Sequence, residues 1–357
     1  MRVQAFGSFD AARHPRVAVL VEGLRESGVE VDVCNAPFGL STAERVRMLQ
    51  QPWRLPLLAL RILRSWLTLA RTARTLPRPD AVLVGYLGHF DVHLARLVHR
   101  GVPIVHDMLI FAGDTAADRG AGGLKQRLLR GLDRAAVRAS DLTVVDTAEH
   151  QGMLPPGTRS VVVLVGAPDA WLAPAPEARD GRLRVVFFGL FTPLQGAPVI
   201  GEALGLLGDQ VDVTMIGRGQ DLAETRRLAG DAHVDWRDWV EPGDLPALVR
   251  DHDVCLGVFS PTGKGMRVVP NKVYQGAAAG CALVTSDSAP QRRVLGDAAV
   301  FVAPGDSRAL ADALLELDKD RPRLLALRTA AHSLAASAFT PQAVVQPLLE
   351  ALSEGPA

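Results

Sequence analysis

Short apolar runs alternate with helix-length segments along nearly all of this 357-residue chain. In the first half the runs are Val3–Phe6, Val29–Val33, Ala81–Tyr86, Pro103–Met108, Asp141–Val145 and Ser160–Val165. Helical patterns lie between them, from Pro15 to about Ser27, Gly88 to His99, Leu124 to Ser140 and Ala148 to Leu154. Strand, turn, helix and strand make the unit of a parallel sheet, whose strands are covered on both faces and so read as apolar runs. The alternation breaks at Ala167–Arg182 (APDAWLAPAPEARDGR), which is rich in Pro and Ala, lacks a period and reads as a linker. It then resumes with runs at Arg184–Phe188, Val211–Ile216, Val234–Val240, Val254–Phe259, Cys281–Thr285 and Val300–Val302. The chain is long for one core. We therefore expect an α/β protein with doubly wound parallel-sheet domains at residues 1–166 and 183–335, the linker 167–182 between them, and a final helix within 336–357.

One stretch of the second half is unusually informative. Residues 270–287 read PNKVYQGAAAGCALVTSD. Proline at a helix start and glycine just past its end are the expected asymmetry, here Pro270 and Gly280. The small residues Gly276 to Ala279 let the helix lie close to a neighbour. A helix start leaves N–H groups unpaired and carries partial positive charge, so it suits an anion. Lys264, Arg267 and Lys272 surround this start, and no acid falls between Ser260 and Asp287. A phosphate or diphosphate is the simplest ligand for such a place.

In open parallel sheets, ligands sit beyond the carboxyl ends of the strands. In the first half, the residues just after strands are Gly7, Ser8, Asp10, Gly88, His106 and Asp107. In the second half they are Gly189 to Gln195, with Thr192 among them, then Gly217-Arg218-Gly219, and Lys264 to Gln275, which includes Asn271. Two such edges facing each other make an interdomain cleft, a preferred place for a small-molecule site. His106 is a candidate to accept or share a proton, and Asp10 and Asp107 are further candidate acceptors.

Lys plus Arg equals Asp plus Glu at 39 each, so charge gives no support to a nucleic-acid partner, and none is expected. Cys34, Cys255 and Cys281 are scattered, which fits buried thiols in a reducing compartment rather than disulfides or a metal site. The start MRVQAFGSFD lacks the apolar core of a secretory leader, and no stretch approaches the roughly 20 apolar residues of a membrane span. A cytoplasmic protein is expected. Arg45 to Arg78 carries eight arginines and no acid. Leu55, Leu58, Ile62, Trp66, Leu69 and Ala73 recur there at helical spacing, with Arg61, Arg64 and Arg71 opposite. Such a helix, within residues 53–76, suits an anionic membrane surface on the inner face of the membrane. It also suits a helix packed on a sheet with a solvated arginine face.

The stretch from Pro270, with PGDSRALADALLELDKD (Pro304–Asp320) downstream, resembles the donor-binding half of a family 4 retaining glycosyltransferase. The resemblance implies a GT-B fold, two Rossmann-like domains facing across a cleft, with the last helix returning to the first domain. It implies transfer of a sugar from a nucleotide diphosphate sugar (UDP- or GDP-linked, with no further cofactor) to an acceptor hydroxyl. Gly7, Ser8 and Asp10 fall where the family has a glycine loop facing donor and acceptor. His106 matches a histidine often found near the donor sugar, and the segment holding Trp236 and Trp239 touches the base. Trp239 is then placed to stack on that base.

The match has departures. Where the family reads G-R-x-x-x-x-K-G, this chain has GLFTPLQG, so Leu190 and Gln195 replace the arginine and lysine that hold the diphosphate. Where it reads K-x-x-E-A-M-A-x-G, this chain has Lys272 to Gly280, with Gln275 for the glutamate and Arg267 for its partner carboxylate eight positions earlier. Lys264, Arg267, Lys272 and helix N–H groups are then expected to hold the diphosphate without a metal. With neither carboxylate present, attack on the face of departure is expected, the acceptor hydroxyl bonding to the leaving phosphate. The alternative is a catalytically inactive nucleotide-sugar-binding or scaffold protein.

Overall fold

The computed structural model describes residues 1–9, 15–37, 55–86, 88–118, 120 and 122–354. Among them, twelve strands form two parallel sheets. The first contains β1 (Arg2–Gly7), β2 (Glu30–Asn35), β3 (Ala81–Val84), β4 (Ile104–Asp107), β5 (Leu142–Val145) and β6 (Ser160–Val162), in spatial order β2-β1-β3-β4-β5-β6. The second contains β7 (Arg184–Phe188), β8 (Asp212–Ile216), β9 (Val234–Arg237), β10 (Val254–Leu256), β11 (Ala282–Ser286) and β12 (Ala299–Val302), in order β12-β11-β10-β7-β8-β9. Each order reverses once, between β1 and β3 and between β7 and β10, and ligands favour the crevice at such reversals. The expectation of an α/β, doubly wound GT-B architecture holds.

Helices cover both faces. In the first lobe they are α1 (Pro15–Glu26), α2 (Leu55–Thr75), α3 (Asp91–Val98), α4 (Ala112–Asp118), α5 (Gly123–Arg138) and the single turn α6 (Ala148–Gln151). The second lobe has α7 (Ala197–Leu207), α8 (Leu222–Ala229), α9 (Leu245–Arg250), α10 (Asn271–Ala278), α11 (Ala289–Leu295), α12 (Ser307–Lys319) and α13 (Arg321–Leu334). One apolar layer joins Leu69 and Ala73 of α2, Val92 and Ala95 of α3, and Ala136 of α5 to Phe6 and Val84 of the strands. Thus α2, α3 and α5 share one face of the first sheet.

The stripe Trp66, Leu69 and Ala73 was expected to admit a lipid-facing reading. The structure corrects this: Leu69 and Ala73 are buried on the sheet, and the half-buried Trp66 Nε1 donates to Asp91 Oδ1 at 3.0 Å. The arginine-rich residues 45–54 lie outside the described residues.

The strand expected at Val234–Val240 stops at Arg237, because its partner β8 ends opposite, at Ile216. The Pro/Ala-rich segment is not a bare tether. Trp171 is buried and stacks on Phe188 with ring centroids 5.5 Å apart. The final helix is two pieces, α14 (Pro341–Val344) and α15 (Gln346–Ser353), preceded by a π-helical turn at Ala335–Phe339. Val344, Val345 and Leu348 pack with Val19, Leu20 and Leu24 of α1, so the chain's end lies on the first lobe.

Gly23 permits that docking, since a Cβ there would stand 2.0 Å from the Pro341 carbonyl oxygen. Gly23→Ala must push the two helices apart. We expect it to cost about 1–3 kcal/mol in urea unfolding, the usual penalty for overpacking. An unchanged midpoint would show that the contact is not close-packed in solution.

Candidate functional site

Helix α10 starts beside the reversal point of the second sheet and runs against it. Pro270 precedes it with extended backbone and no side chain caps its first N–H groups. Gly280 closes it at φ +79°. A Cβ at Gly276 would meet the Cys255 side chain at 2.6 Å, so glycine sets how near the helix lies to β10. Val273, Tyr274 and Ala277 seal the rest in the core.

This packing buries Lys272 in the first turn of α10. Its side chain passes under the end of β7, with Nζ 3.7 Å from the Phe187 ring centroid and donating to Gln195 Oε1 at 2.5 Å. Among the described residues no carboxylate forms an ion pair with it. Burial lowers its pKa from 10.5 to about 7, because desolvation penalises the ammonium. Directly above is Gly189, exposed and at φ +142°, where an added Cβ would meet Nζ at 3.3 Å. A side chain here would stand on the ammonium, and this backbone conformation favours glycine. Gly217 closes the floor: its Cβ would fall 1.9 Å from the Gly189 carbonyl oxygen. Thr192 and Gln195 flank the same loop half-buried, and Asn271 and Gln275 lie on α10, half-buried and buried respectively. Glycine, lysine and an uncapped helix start thus converge at one strand end.

Lys264 and Arg267 do not join Lys272 there. Lys264 Nζ donates to Thr115 Oγ1 at 2.8 Å, and Arg267 Nη2 pairs with Asp114 Oδ1 at 2.6 Å. Thr262 Oγ1 also donates to Asp118 Oδ1 at 3.2 Å, and Thr147 Oγ1 to the Arg267 carbonyl at 2.9 Å. The partners belong to α4 and to the segment after β5. The carboxyl ends of the two sheets therefore face each other and touch here. Asp114 stands opposite the position where the resembled family has a carboxylate and this chain has Arg267. Sequence reading missed α4, because FAGDTAAD has no apolar period; the one available signal was its pair of acids after a strand.

On the first lobe, Gly7 ends β1 at φ +146°, and Ser8 donates from both its N–H and its Oγ to Asp91 Oδ2, each at 2.7 Å. Ser8 is therefore turned inward. Asp10 lies outside the described residues. Asp107 was expected to be a proton acceptor, but it is buried in an ion pair with Arg16 at 3.1 Å. Arg16 also donates to the carbonyls of Val163 and Leu164, so the pair braces β4 against the exit of β6. His106, expected to face the acceptor, is wholly buried, with neither ring nitrogen hydrogen-bonded. Burial, then the neighbouring His89 and His93, push its pKa down to about 3, so the ring is neutral at ordinary pH. In this conformation neither residue meets the surface. Nearer it, the buried His89 Nε2 lies 3.0 Å from Asp133 Oδ1.

Trp239 stands 61% exposed beyond the end of β9, while Trp236 packs on the core, so the two tryptophans have different situations. Arg218 is exposed and pairs with Asp238 at 3.3 Å. Depressions of about 420 Å³ beside Arg292 and Phe301 and about 690 Å³ beside Glu202 and Leu206 include none of these strand-end residues. Among the described residues one carboxylate trio, Glu22, Glu26 and Asp169, is close enough to share a cation. It lies between α1 and the connector, away from the strand ends.

The cross-lobe pair Arg267–Asp114 is partly shielded, which separates it from ordinary surface pairs worth under about 1 kcal/mol. A double-mutant cycle with Arg267→Ala and Asp114→Ala, read by urea unfolding, should give a coupling of about 1–2 kcal/mol. Coupling near zero would mean that the lobes part at this point in solution.

Residues 182–320 match the family model described as "Glycosyl transferases group 1". No curated protein sequence matches the chain. Among solved structures, sucrose-phosphate synthase from Thermosynechococcus elongatus superposes with a TM-score of 0.74 at 13% identity, covering 99% of this chain and 98% of that one. Anabaena Alr3699/HepE in complex with UDP-glucose gives 0.67 at 14% identity, covering 99% of each chain. The N-terminal domain of Candida albicans trehalose-6-phosphate phosphatase gives 0.67 at 10%, covering 99% and 96%. The chain has the GT-B fold, and its second lobe, over residues 182–320, matches the group 1 glycosyl transferase model.

Proposed function

We propose that the protein is a family 4 retaining glycosyltransferase that moves a sugar from a UDP-linked donor to an acceptor hydroxyl without a metal. The unit 1–166 takes the acceptor and 183–335 the donor. The observation that carries this reading is Lys272: an ammonium buried without a carboxylate, at an uncapped helix start, beneath an exposed glycine. A diphosphate at Gly189 meets both the ammonium and the helix N–H groups. UDP is the first choice because Alr3699/HepE has been solved with UDP-glucose.

In the proposed step, the bond between the sugar's anomeric carbon and the diphosphate oxygen breaks. The acceptor oxygen attacks the same face, and its proton passes to the leaving phosphate oxygen. No side-chain base is required, which suits a site where Asp107 is engaged by Arg16 and His106 is sealed and neutral. Lys272 and the start of α10 stabilise the charge that develops on the diphosphate, acting from fixed positions where water is largely excluded. Gln195 orients the Lys272 ammonium instead of supplying a second one. Gln275 and Asn271 offer hydrogen bonds to donor hydroxyls, Thr192 to the diphosphate and Trp239 a face for the base, with Arg218 beside it. Lys264 and Arg267 reach the donor only by leaving Thr115 and Asp114.

The depressed pKa of Lys272 gives a signed test. Between about 7 and 10.5 the unfolded chain holds a proton that the folded chain lacks, so stability rises with pH across that window. An anion at Nζ restores the proton. UDP-glucose binding should therefore take up a proton above about pH 7, and affinity should fall by up to about tenfold per pH unit there. Titration calorimetry in buffers of different ionisation enthalpy measures the uptake. Lys272→Met should abolish it and weaken binding by about 1.5–3 kcal/mol. Affinity independent of pH would remove Lys272 from the diphosphate site.

Turnover is a separate question. Hydrolysis of UDP-glucose and other nucleotide sugars should be detectable in the wild type and lost in Lys272→Met, and an α-linked donor should yield an α-linked product. Tight, proton-coupled binding with no turnover of any donor would favour the scaffold reading.

A further inference from the structure

We infer that the outer surface of the α2, α3 and α5 layer docks on an anionic lipid bilayer through exposed apolar side chains interleaved with exposed arginines. Among the described residues, eight of the fourteen exposed large apolar side chains belong to these three helices and their starts. Scattered single exposures are ordinary; a concentration of this kind is not.

The positions form a pattern. In a parallel sheet the crossover helices run back against the strands, so their starts sit at the carboxyl edge of the sheet. Leu57 and Leu60 lie in the first two turns of α2, Phe90 immediately before α3, and Leu124 and Leu128 in the first two turns of α5. Their exposures run from 42% to 72%. All five therefore lie at the edge that holds the candidate site. Exposed arginines lie among and beyond these side chains: Arg64, Arg71 and Arg74 on α2, beside the exposed Leu63 and Leu67, and Arg127, Arg134 and Arg138 on α5. The only carboxylates on α2, α3 and α5 are Asp91 and Asp133. Both are buried, Asp91 bound by Ser8 and Trp66 and Asp133 by His89 and the N–H groups of Ala112 and Gly113. No acid on these helices offsets the basic face.

Exposed apolar side chains interleaved with arginines that no acid of these helices opposes fit the boundary between headgroups and acyl chains. A protein partner would need acids in register with arginines on two helices; a bilayer presents phosphates everywhere. The face that the structure leaves open on α2 is the row Leu57, Leu60, Leu63 and Leu67, not the row buried on the sheet. Docked in this way, the carboxyl edge of the first sheet lies at the membrane, and an acceptor carried by a lipid reaches the site without leaving the bilayer. The docking itself does not depend on the donor reading.

The test is co-sedimentation of the full chain with phosphatidylglycerol/phosphatidylcholine vesicles and with phosphatidylcholine alone. Wild type should sediment with the anionic vesicles only. Leu124→Ser/Leu128→Ser should lower the partition coefficient about tenfold or more, and Arg127→Gln/Arg134→Gln should remove the preference for anionic lipid. The urea-unfolding midpoint, measured on the same samples, should be unchanged in both variants, which reports folding without calling on the donor site. Three results would overturn the proposal: no sedimentation of the wild type, sedimentation indifferent to the α5 changes, or a wild-type dimer in solution that the leucine changes dissociate. The last would mean that a second copy covers this face.

Discussion

An ammonium buried at the head of a short helix makes demands on everything around it. Lys272 reaches its place because α10 lies almost in contact with β10, and it lies so close because Gly276 has no side chain to hold it off. Gly189 must be bare for the ammonium to be reached, and Gly217 must be bare for the β7 and β8 loops to close beneath it. Gln195 must supply the oxygen that a buried cation needs when no carboxylate is near. The requirements fall on α10 and on the loops that leave β7 and β8, and a parallel sheet is the arrangement that brings such loops to one edge.

The first lobe meets this edge with structure rather than with free chemistry. The Arg16–Asp107 pair and the Ser8–Asp91–Trp66 set spend their polar groups on holding loops in place. Helix α4 then sends Asp114 and Thr115 across to Arg267 and Lys264. A chain with neutral residues at Leu190 and Gln195 carries positive charge at Lys264 and Arg267, and the first lobe meets it with the Thr115 hydroxyl and the Asp114 carboxylate.

Much of the architecture was legible because strands buried on both faces leave uninterrupted apolar runs, and the break at 167–182 has no period of either kind. The helix at 271–278 was legible from Pro270 and Gly280, and its close approach from Gly276 to Ala279. Three things were not. Asp107 looks like a free acid at a strand end because its partner, Arg16, is far away in the chain. Helix α4 is made of small and acidic residues, and its part in the site comes from contacts across the lobes. The buried side of α2 was ambiguous because leucines occur all round it, and only packing shows that Leu69 and Ala73 face the sheet while Leu60 and Leu67 do not.

The polypeptide passes between the lobes twice, once outward through Val163–Leu183 and once back through the π-helical turn at Ala335–Phe339. The two passages are tied together, for the Ala167 N–H donates to the Phe339 carbonyl at 2.9 Å. Phe339 also meets Tyr274 of α10 edge-on, with ring centroids 4.8 Å apart. Two crossings bonded side by side constrain how the lobes can turn against each other more than a single tether would. Because α10 leans on one of those crossings, the helix that carries the Lys272 ammonium packs directly on the joint between the lobes.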